Sequence, residues 1–507
     1  MSRRFLTAMA ALLGALFSAQ PASAQWLQAE TQNFVIHAEL GEEELRDVAL
    51  HMEEFNRLLQ RQMPAQLRPG RKFHIWLDSG MNRISGLFGH RIFSAARDWH
   101  DLPGAFAQYD PGENPRYRYY PLYSAVGRFH LSNGFVRTLP YWLADGLPIY
   151  FATAYVDEGQ FLLGAPDNPR MMNEPMSVSR IEELLTTRQK PESFGRFRTL
   201  QSANAVFTNL LLSDPANDAL IGRYLALFNA GKSYEEAMAV FGDLRPLTVD
   251  MRNKMGRKVK LRAVPIDPDA PKQIFIRPMG QDEVALIVPR FRRLIDEDRE
   301  DVAKDMRKLT ERFPDSAETW YQYAAAEFAL TKGRERDGEP AFGGLGFADN
   351  LLVIKAWHYS DREAWAAVNR ALALDSGHPH ANRLKAEIML ARMLNAGDGD
   401  DAEQFAEIRV LLGTLVERPE EFPFAAVFNY QTYIEQGLRA PQEAFDAFGR
   451  AFLGSAGVRS FRYAYAAELV RRGEHAIARR LLESMLNDPR YSEAAQRALD
   501  QIPDPPV

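Results

Sequence analysis

Thr138-Leu139-Pro140-Tyr141-Trp142-Leu143-Ala144-Asp145-Gly146-Leu147-Pro148-Ile149-Tyr150-Phe151 is the stretch on which the reading of this chain turns. Trp142, Leu143, Leu147 and Phe151 recur at helical spacing, which predicts a helix over Pro140–Phe151 with those four side chains in a core. Asp145 is the sole acid within it.

To either side the pattern is mixed. Asn33-Phe34-Val35-Ile36-His37 reads as a strand. Glu42 to Leu59 reads as an amphipathic helix, with Leu45, Val48, Met52, Phe55 and Leu59 at steps of three and four and three glutamates in its first turn. Lys72 to Leu77 is predicted as a second strand and Arg116 to Tyr120 as a third. Beyond the quoted stretch the pattern is mostly helical, as at Ala203–Leu212. Residues 25–262 therefore read as one α+β unit. Leu261 to Met279 carries Pro265, Pro268, Pro271 and Pro278 with no helical period, which predicts a linker over 263–280.

From 281 to 507 nearly everything reads as helices broken by Gly, Pro and Asp, so the fold class is α+β followed by all-α, predominantly α. A degenerate internal repeat runs through this half. Ala303 precedes Pro314, Ala367 precedes Pro379 and Ala478 precedes Pro489 at similar distances. Ala478, Leu481, Leu482 and Met485 make one helical face. Small residues at such positions let two helices pack closely, and proline stops a helix. This pattern resembles the tetratricopeptide repeat, which implies a concave protein-binding surface.

Composition narrows the function classes. Of 507 residues 46% are hydrophobic and 25% charged, the balance of a chain with a real core, and the net charge of −6 argues against a nucleic-acid footprint. Cysteine is absent, so disulfides, cysteine-ligated metals and a cysteine nucleophile are excluded, and any metal must be held by Asp, Glu and the ten His. Arg3 and Arg4, the apolar run Phe5–Ala19 and Ala22-Ser23-Ala24 have the form of a secretory signal over 1–24, with cleavage expected after Ala24 and a periplasmic or secreted location. No later segment has the 18 or so unbroken apolar residues of a membrane span.

Several motifs have plainer readings than their chemistry suggests. Ala226 to Ser233 approximates a phosphate-binding loop, but Gly231 reads as a helix stop and Ser233 with Glu236 as a capping box. Gly343-Gly344-Leu345-Gly346 lacks the rest of a dinucleotide fingerprint. Asp398, Asp400, Asp401 and Glu403 have Arg409 where a calcium loop needs Glu, and read as an acidic turn. His51 and Glu54 lie one helical turn apart, and His378 and His380 flank Pro379; both pairs are expected at the surface.

The Pro140–Phe151 stretch resembles the Pro-x-Trp-Leu-x-Glu-Gly-Leu-Ala-Glu-Tyr-Phe segment of peptidase MA-like domains, a branch of the gluzincin metallopeptidases. The order of the surrounding features is similar over roughly residues 26–260: the opening strand and acidic helix, Gly159 to Pro166, and the helical stretch through Ser202, Tyr224 and Gly231–Phe241. The resemblance implies a helix presenting His-Glu-x-x-His to zinc, with the Glu activating water and a third ligand at Asp145. The window for that helix, Tyr119 to His130, holds no Glu and one His, His130, while Tyr123 and Ser124 stand amid apolar residues. The family's second acid is Ile149. The resemblance thus implies a pseudo-enzyme whose vestigial site centres on Asp145, His130, Trp142 and Tyr123, with no cofactor. Asp145 is then expected to cap a helix, pair with a base such as Arg128, or face solvent. The alternative is a zinc peptidase with an unorthodox site drawing on His90, His100, His130 and Asp145.

Overall fold

The computed structural model describes residues 25–63, 71–78, 92–93, 104–109, 112–134, 138–164, 177–189, 191, 193–214, 217–255, 261–294, 298–331, 361–396 and 401–503; the leader 1–24, His90, His100, Gly343–Gly346, Asp398 and Asp400 lie outside them. Along the first half run β1 (Leu27–Glu30), β2 (Phe34–Ala38), α1 (Glu42–Gln62), β3 (Phe73–Asp78), β4 (Ile92–Phe93) and β5 (Gly104–Gln108). Then come α2 (Pro115–Arg118), α3 (Tyr120–Gly134), α4 (Tyr141–Ala152), β6 (Tyr155–Asp157), β7 (Gln160–Leu163), α5 (Val178–Thr186) and α6 (Phe194–Leu212). This half closes with α7 (Asp218–Asn229), α8 (Tyr234–Met238), α9 (Leu244–Met255), β8 (Arg262–Pro265) and β9 (Phe275–Pro278).

The main sheet has the order β4-β5-β3-β2-β1-β9 and is mixed: β2, β3 and β5 are parallel, and the outer pairs antiparallel. Alternation along each strand divides its faces. Phe34, Ile36, Phe73, Ile75, Leu77, Ala105 and Ala107 enter the main core with Leu45, Val48, Met52, Phe55 and Leu59 of α1, the five residues whose spacing marks that helix in the sequence. His37, His74, Trp76 and Phe106 point to the other face. A smaller sheet has the order β6-β7-β8.

The structure departs from the sequence pattern in two places. Arg116–Tyr120 is helical, not a third strand: Asn114 accepts a hydrogen bond from the Arg116 amide at 3.0 Å and Pro115 opens the turn. A cap and an N1 proline outweigh the strand preference of three tyrosines. The proline-rich stretch 263–280 is woven into both sheets, since β8 pairs with β7 and β9 with β1. Each strand is four residues long, ends on a proline and lies at a sheet edge, where a missing amide is tolerated. In β9 the Met279 amide bonds the Trp26 carbonyl, so by alternation Ile276 and Pro278 present their backbone outward, and the Pro278 carbonyl is taken by the Arg277 guanidinium at 3.2 Å.

The second half is helical throughout its described residues: α10 (Gln281–Leu294), α11 (Arg299–Arg312), α12 (Ala317–Thr331), α13 (Arg362–Leu374), α14 (Pro379–Ala396), α15 (Ala402–Val416), α16 (Pro423–Glu435), α17 (Gln442–Gly454), α18 (Arg459–Arg471), α19 (His475–Glu483) and α20 (Ser492–Leu499). Each helix packs on the next in sequence. The repeat alanines Ala303, Ala367 and Ala478 are all buried, and Pro379 opens α14. Asp401 caps α15 through the Gln404 amide, as the reading of an acidic turn expects. Among the described residues no helix is long and apolar enough to cross a membrane.

This helical array is tied to the first half at both ends. At its start, Ile287 and Phe291 of α10 cover Trp76 and Phe106 on the outer face of the sheet. Near its end, Arg462 of α18 donates to Thr138 Oγ1 at 2.7 Å, to Ser484 Oγ at 3.0 Å and to the Ala456 carbonyl at 2.9 Å. Asn487 donates to the carbonyls of Phe228 and Lys232.

Candidate functional site

The quoted stretch forms α4, which is held between two helices by two glycines. Gly127 of α3 lies against Pro148, where an added Cβ would approach the Pro148 Cα to 3.3 Å. Gly146 lies against α6, where a Cβ would stand 2.1 Å from Thr208 Oγ1 and 2.8 Å from the Asn204 carbonyl oxygen. Trp142 is fully buried, edge-on to Phe207 at 5.0 Å, with its indole N–H directed at the Tyr224 hydroxyl at 3.4 Å. Leu143, Leu147 and Phe151 are buried with it, as their spacing predicts.

Asp145 is only 6% exposed, so its carboxylate must be compensated locally. Two groups do so. Asn204 Nδ2 of α6 donates to Oδ2 at 3.2 Å, and the Arg128 guanidinium of α3 stands 3.7 Å from Oδ1. Tyr141, one turn earlier on α4, has a buried hydroxyl that finds no partner among the described residues, as do Asn204 Oδ1 and Thr208 Oγ1. Burial, with the Asp145 charge behind it, pushes the Tyr141 phenol well above its ordinary pKa.

The other two candidates face away. At 100° per residue, Arg128 and His130 lie on opposite sides of α3, whereas Tyr123 and His130, two turns apart, share a side. That shared side faces α1. His130 is fully buried and its Nε2 donates to Asn56 Oδ1 at 2.7 Å, which fixes the Nε2–H tautomer. Burial pulls its pKa down to about 3. Tyr123 is buried too, stacked on Phe55 at 3.7 Å, with its hydroxyl on His51 Nε2. His51 Nδ1 in turn lies 3.5 Å from Glu54 Oε2, so these two residues, expected at the surface, form the outer end of a buried phenol–imidazole–carboxylate chain. Burial drives the Tyr123 phenol well above its ordinary value, so it is no nucleophile at neutral pH.

These donors do not fit a catalytic zinc, which needs about three converging ligands with open lone pairs. The Asp145 carboxylate is paired with a guanidinium, and His130 spends Nε2 as a donor on the far side of α3. Among the described residues no three His, Asp or Glu side chains stand together as a metal-binding group. Arg128 and Asn204 are the residues that define the site. Arg128 is one of the Asp145 partners the sequence suggests. Asn204 is missed, although Asn204 and Thr208, four apart in the helical run Ala203–Leu212, are a readable sign of a polar stripe facing α4. Comparison of the chain with protein-family models, with curated proteins and with solved structures finds no match.

Proposed function

We propose that this chain is an exported, non-catalytic interaction protein, in which a peptidase MA-like domain emptied of its chemistry is combined with a tetratricopeptide-like array that takes protein partners. The observation that carries the reading is the Arg128–Asp145 pair. A guanidinium fixed beside the acid of the Trp-Leu-x-acid-Gly segment supplies positive charge to the carboxylate that would otherwise ligate a metal. Trp142, Leu143, Leu147 and Phe151 are buried against neighbouring elements, so the segment has a packing role of its own. Export is supported by the Arg3–Ala24 pattern, and partner binding by the succession of mutually packed helices over 281–507.

The test is chemical and simple. Elemental analysis of the purified protein should find well under one zinc per chain, and peptide libraries should be left uncut. Cross-linked capture from periplasm should recover a partner that the 281–507 region is needed to hold. Near-stoichiometric zinc, lost together with a peptidase activity on Asp145→Ala, would establish the metallopeptidase reading instead.

A further inference from the structure

Four of the ten histidines, His37 and His74 of the sheet and His378 and His380 of the helical array, act in one charge network where the sheet meets α10. His37 of β2 and His74 of β3 are neighbours across a parallel pair, with His37 Nε2 3.3 Å from His74 Nδ1. Both rings stack on Trp76, at 5.1 and 5.7 Å. α10 packs on Trp76 beside them, placing the Arg290 guanidinium 5.8 Å from the Trp76 ring. Arg290 also reaches Glu318 of α12 at 3.4 Å, and Glu318 accepts from His378 Nε2 at 3.0 Å. His378 Nδ1 accepts from the Ala381 amide, so its proton resides on Nε2. His380 stacks on Tyr321 at 5.7 Å, and its charge acts on His74.

While α10 holds the rings in place, the facing nitrogens of His37 and His74 can share one proton but not hold two. The charged groups that act on the pair are mostly positive: Arg290 on both, Arg277 on His37, and Lys72 and His380 on His74. The one carboxylate acting on His37, Glu283, is gripped by Arg277 at 2.6 and 2.8 Å. Glu318 is engaged by His378 and Arg290. Among the described residues no free carboxylate stands there to compensate an added imidazolium.

We propose that the His37–His74 pair is an acid-sensitive latch that releases α10, and the helices that follow it, from the outer face of the sheet as pH falls. Burial, then Arg290, holds His37 neutral down to about pH 3 while α10 is docked, and partial burial, with the positive groups around it, holds His74 well below its ordinary value. Once α10 leaves, both rings meet water and recover the ordinary value near 6.5. The sign follows: docking has full strength above pH 6.5 and weakens as pH falls from there toward 3. A histidine that must stay neutral costs up to about tenfold per pH unit, so His37 alone gives up to about thirtyfold at pH 5, and His74 adds to it in the same direction. The far junction is built from Arg462, Thr138, Asn487 and backbone carbonyls, which do not titrate in this range. Acid should therefore open one end of the array and leave the other fastened.

Hydrogen exchange on the full chain, corrected for intrinsic rates and followed from pH 7.5 to 5, tests this. The amides of α10 should lose protection steeply, with a slope approaching two protons, while those of α18 keep theirs. His74→Gln should cut the slope by about half, and His37→Gln with His74→Gln should flatten it. A merely structural role for the pair would change protection without changing its slope. Constant α10 protection, simultaneous loss in α10 and α18, or an unchanged slope in His74→Gln would each overturn the latch. The first two are read on the unaltered protein, so they decide even if the double variant does not fold.

Discussion

Gly146 marks the closest approach of α4 and α6. Its Cβ would meet not only Thr208 Oγ1, which could turn away, but also the Asn204 carbonyl, which belongs to a helix backbone and cannot. Gly146→Ala is expected to cost about 1–3 kcal/mol in urea unfolding, the range of an overpacked core site. Thr208→Ala should recover only part of that loss; no measurable cost would mean that the helices are farther apart. The Arg128–Asp145 pair is tested by a double-mutant cycle. Removing the guanidinium alone, as Arg128→Met, leaves Asp145 with Asn204 as its one compensating group among the described residues. Removing both charges, as Arg128→Met with Asp145→Leu, leaves no stranded charge. The two changes should be coupled by about 0.5–3 kcal/mol, in the direction that makes the double variant less damaged than the sum. Strict additivity would show that the pair does not interact.

At the scale of an element, what could be read in the sequence was what depends on neighbours a turn away. The α1 pattern and the Ser233 cap are of this kind. Glu236 returns a bond to the Ser233 amide at 2.9 Å while its own amide bonds Ser233 Oγ at 3.1 Å. Ser233→Ala should cost about 1 kcal/mol, and Lys232→Ala little, with no change in any nucleotide binding. ATP binding abolished by the lysine change would restore the phosphate-loop reading of this turn. The structure adds a reason for Gly231 that no local pattern holds: φ is +72° and a Cβ would stand 2.6 Å from Leu486 of the last helical pair. The failures have the same cause. Four-residue strands such as β8 and β9 are too short to show a period, and only the partners β7 and β1, a hundred or more residues earlier, define them. His378, expected at the surface with His380, is buried, and its partner Glu318 is remote in sequence. The same holds for Asp145: its helix was legible, its partner Asn204 only as one member of a polar stripe.

Across the whole molecule, the stretch between β8 and β9 behaves as a strap rather than a hinge. Asp267 is buried and bonded to Arg57 at 3.1 Å and Arg61 at 2.6 Å, both on α1. Limited proteolysis should therefore spare 262–278 in the native protein. Asp267→Ala should make 266–274 a preferred cut site; ready cleavage there without the substitution would return this stretch to the status of a free linker. Arg462 fastens the other end of the array, and burial pulls its pKa down to about 10, still charged at neutral pH. Arg462→Met strips hydrogen bonds from Thr138, Ser484 and the Ala456 carbonyl. It should cost about 2–4 kcal/mol, seen as a lowered urea midpoint, with Arg462→Lys recovering little because one ammonium cannot span three acceptors. The outer edge of β9 carries a further consequence, for how copies of the protein meet in a crowded compartment. An exposed strand normally offers a ladder of donors and acceptors to any passing chain. Here one rung has no N–H, because it is Pro278, and the carbonyl of that rung is already occupied by a guanidinium. A neighbour trying to lengthen the sheet here would find the ladder broken at that rung, so concentration alone should not extend the sheet across the β9 edge.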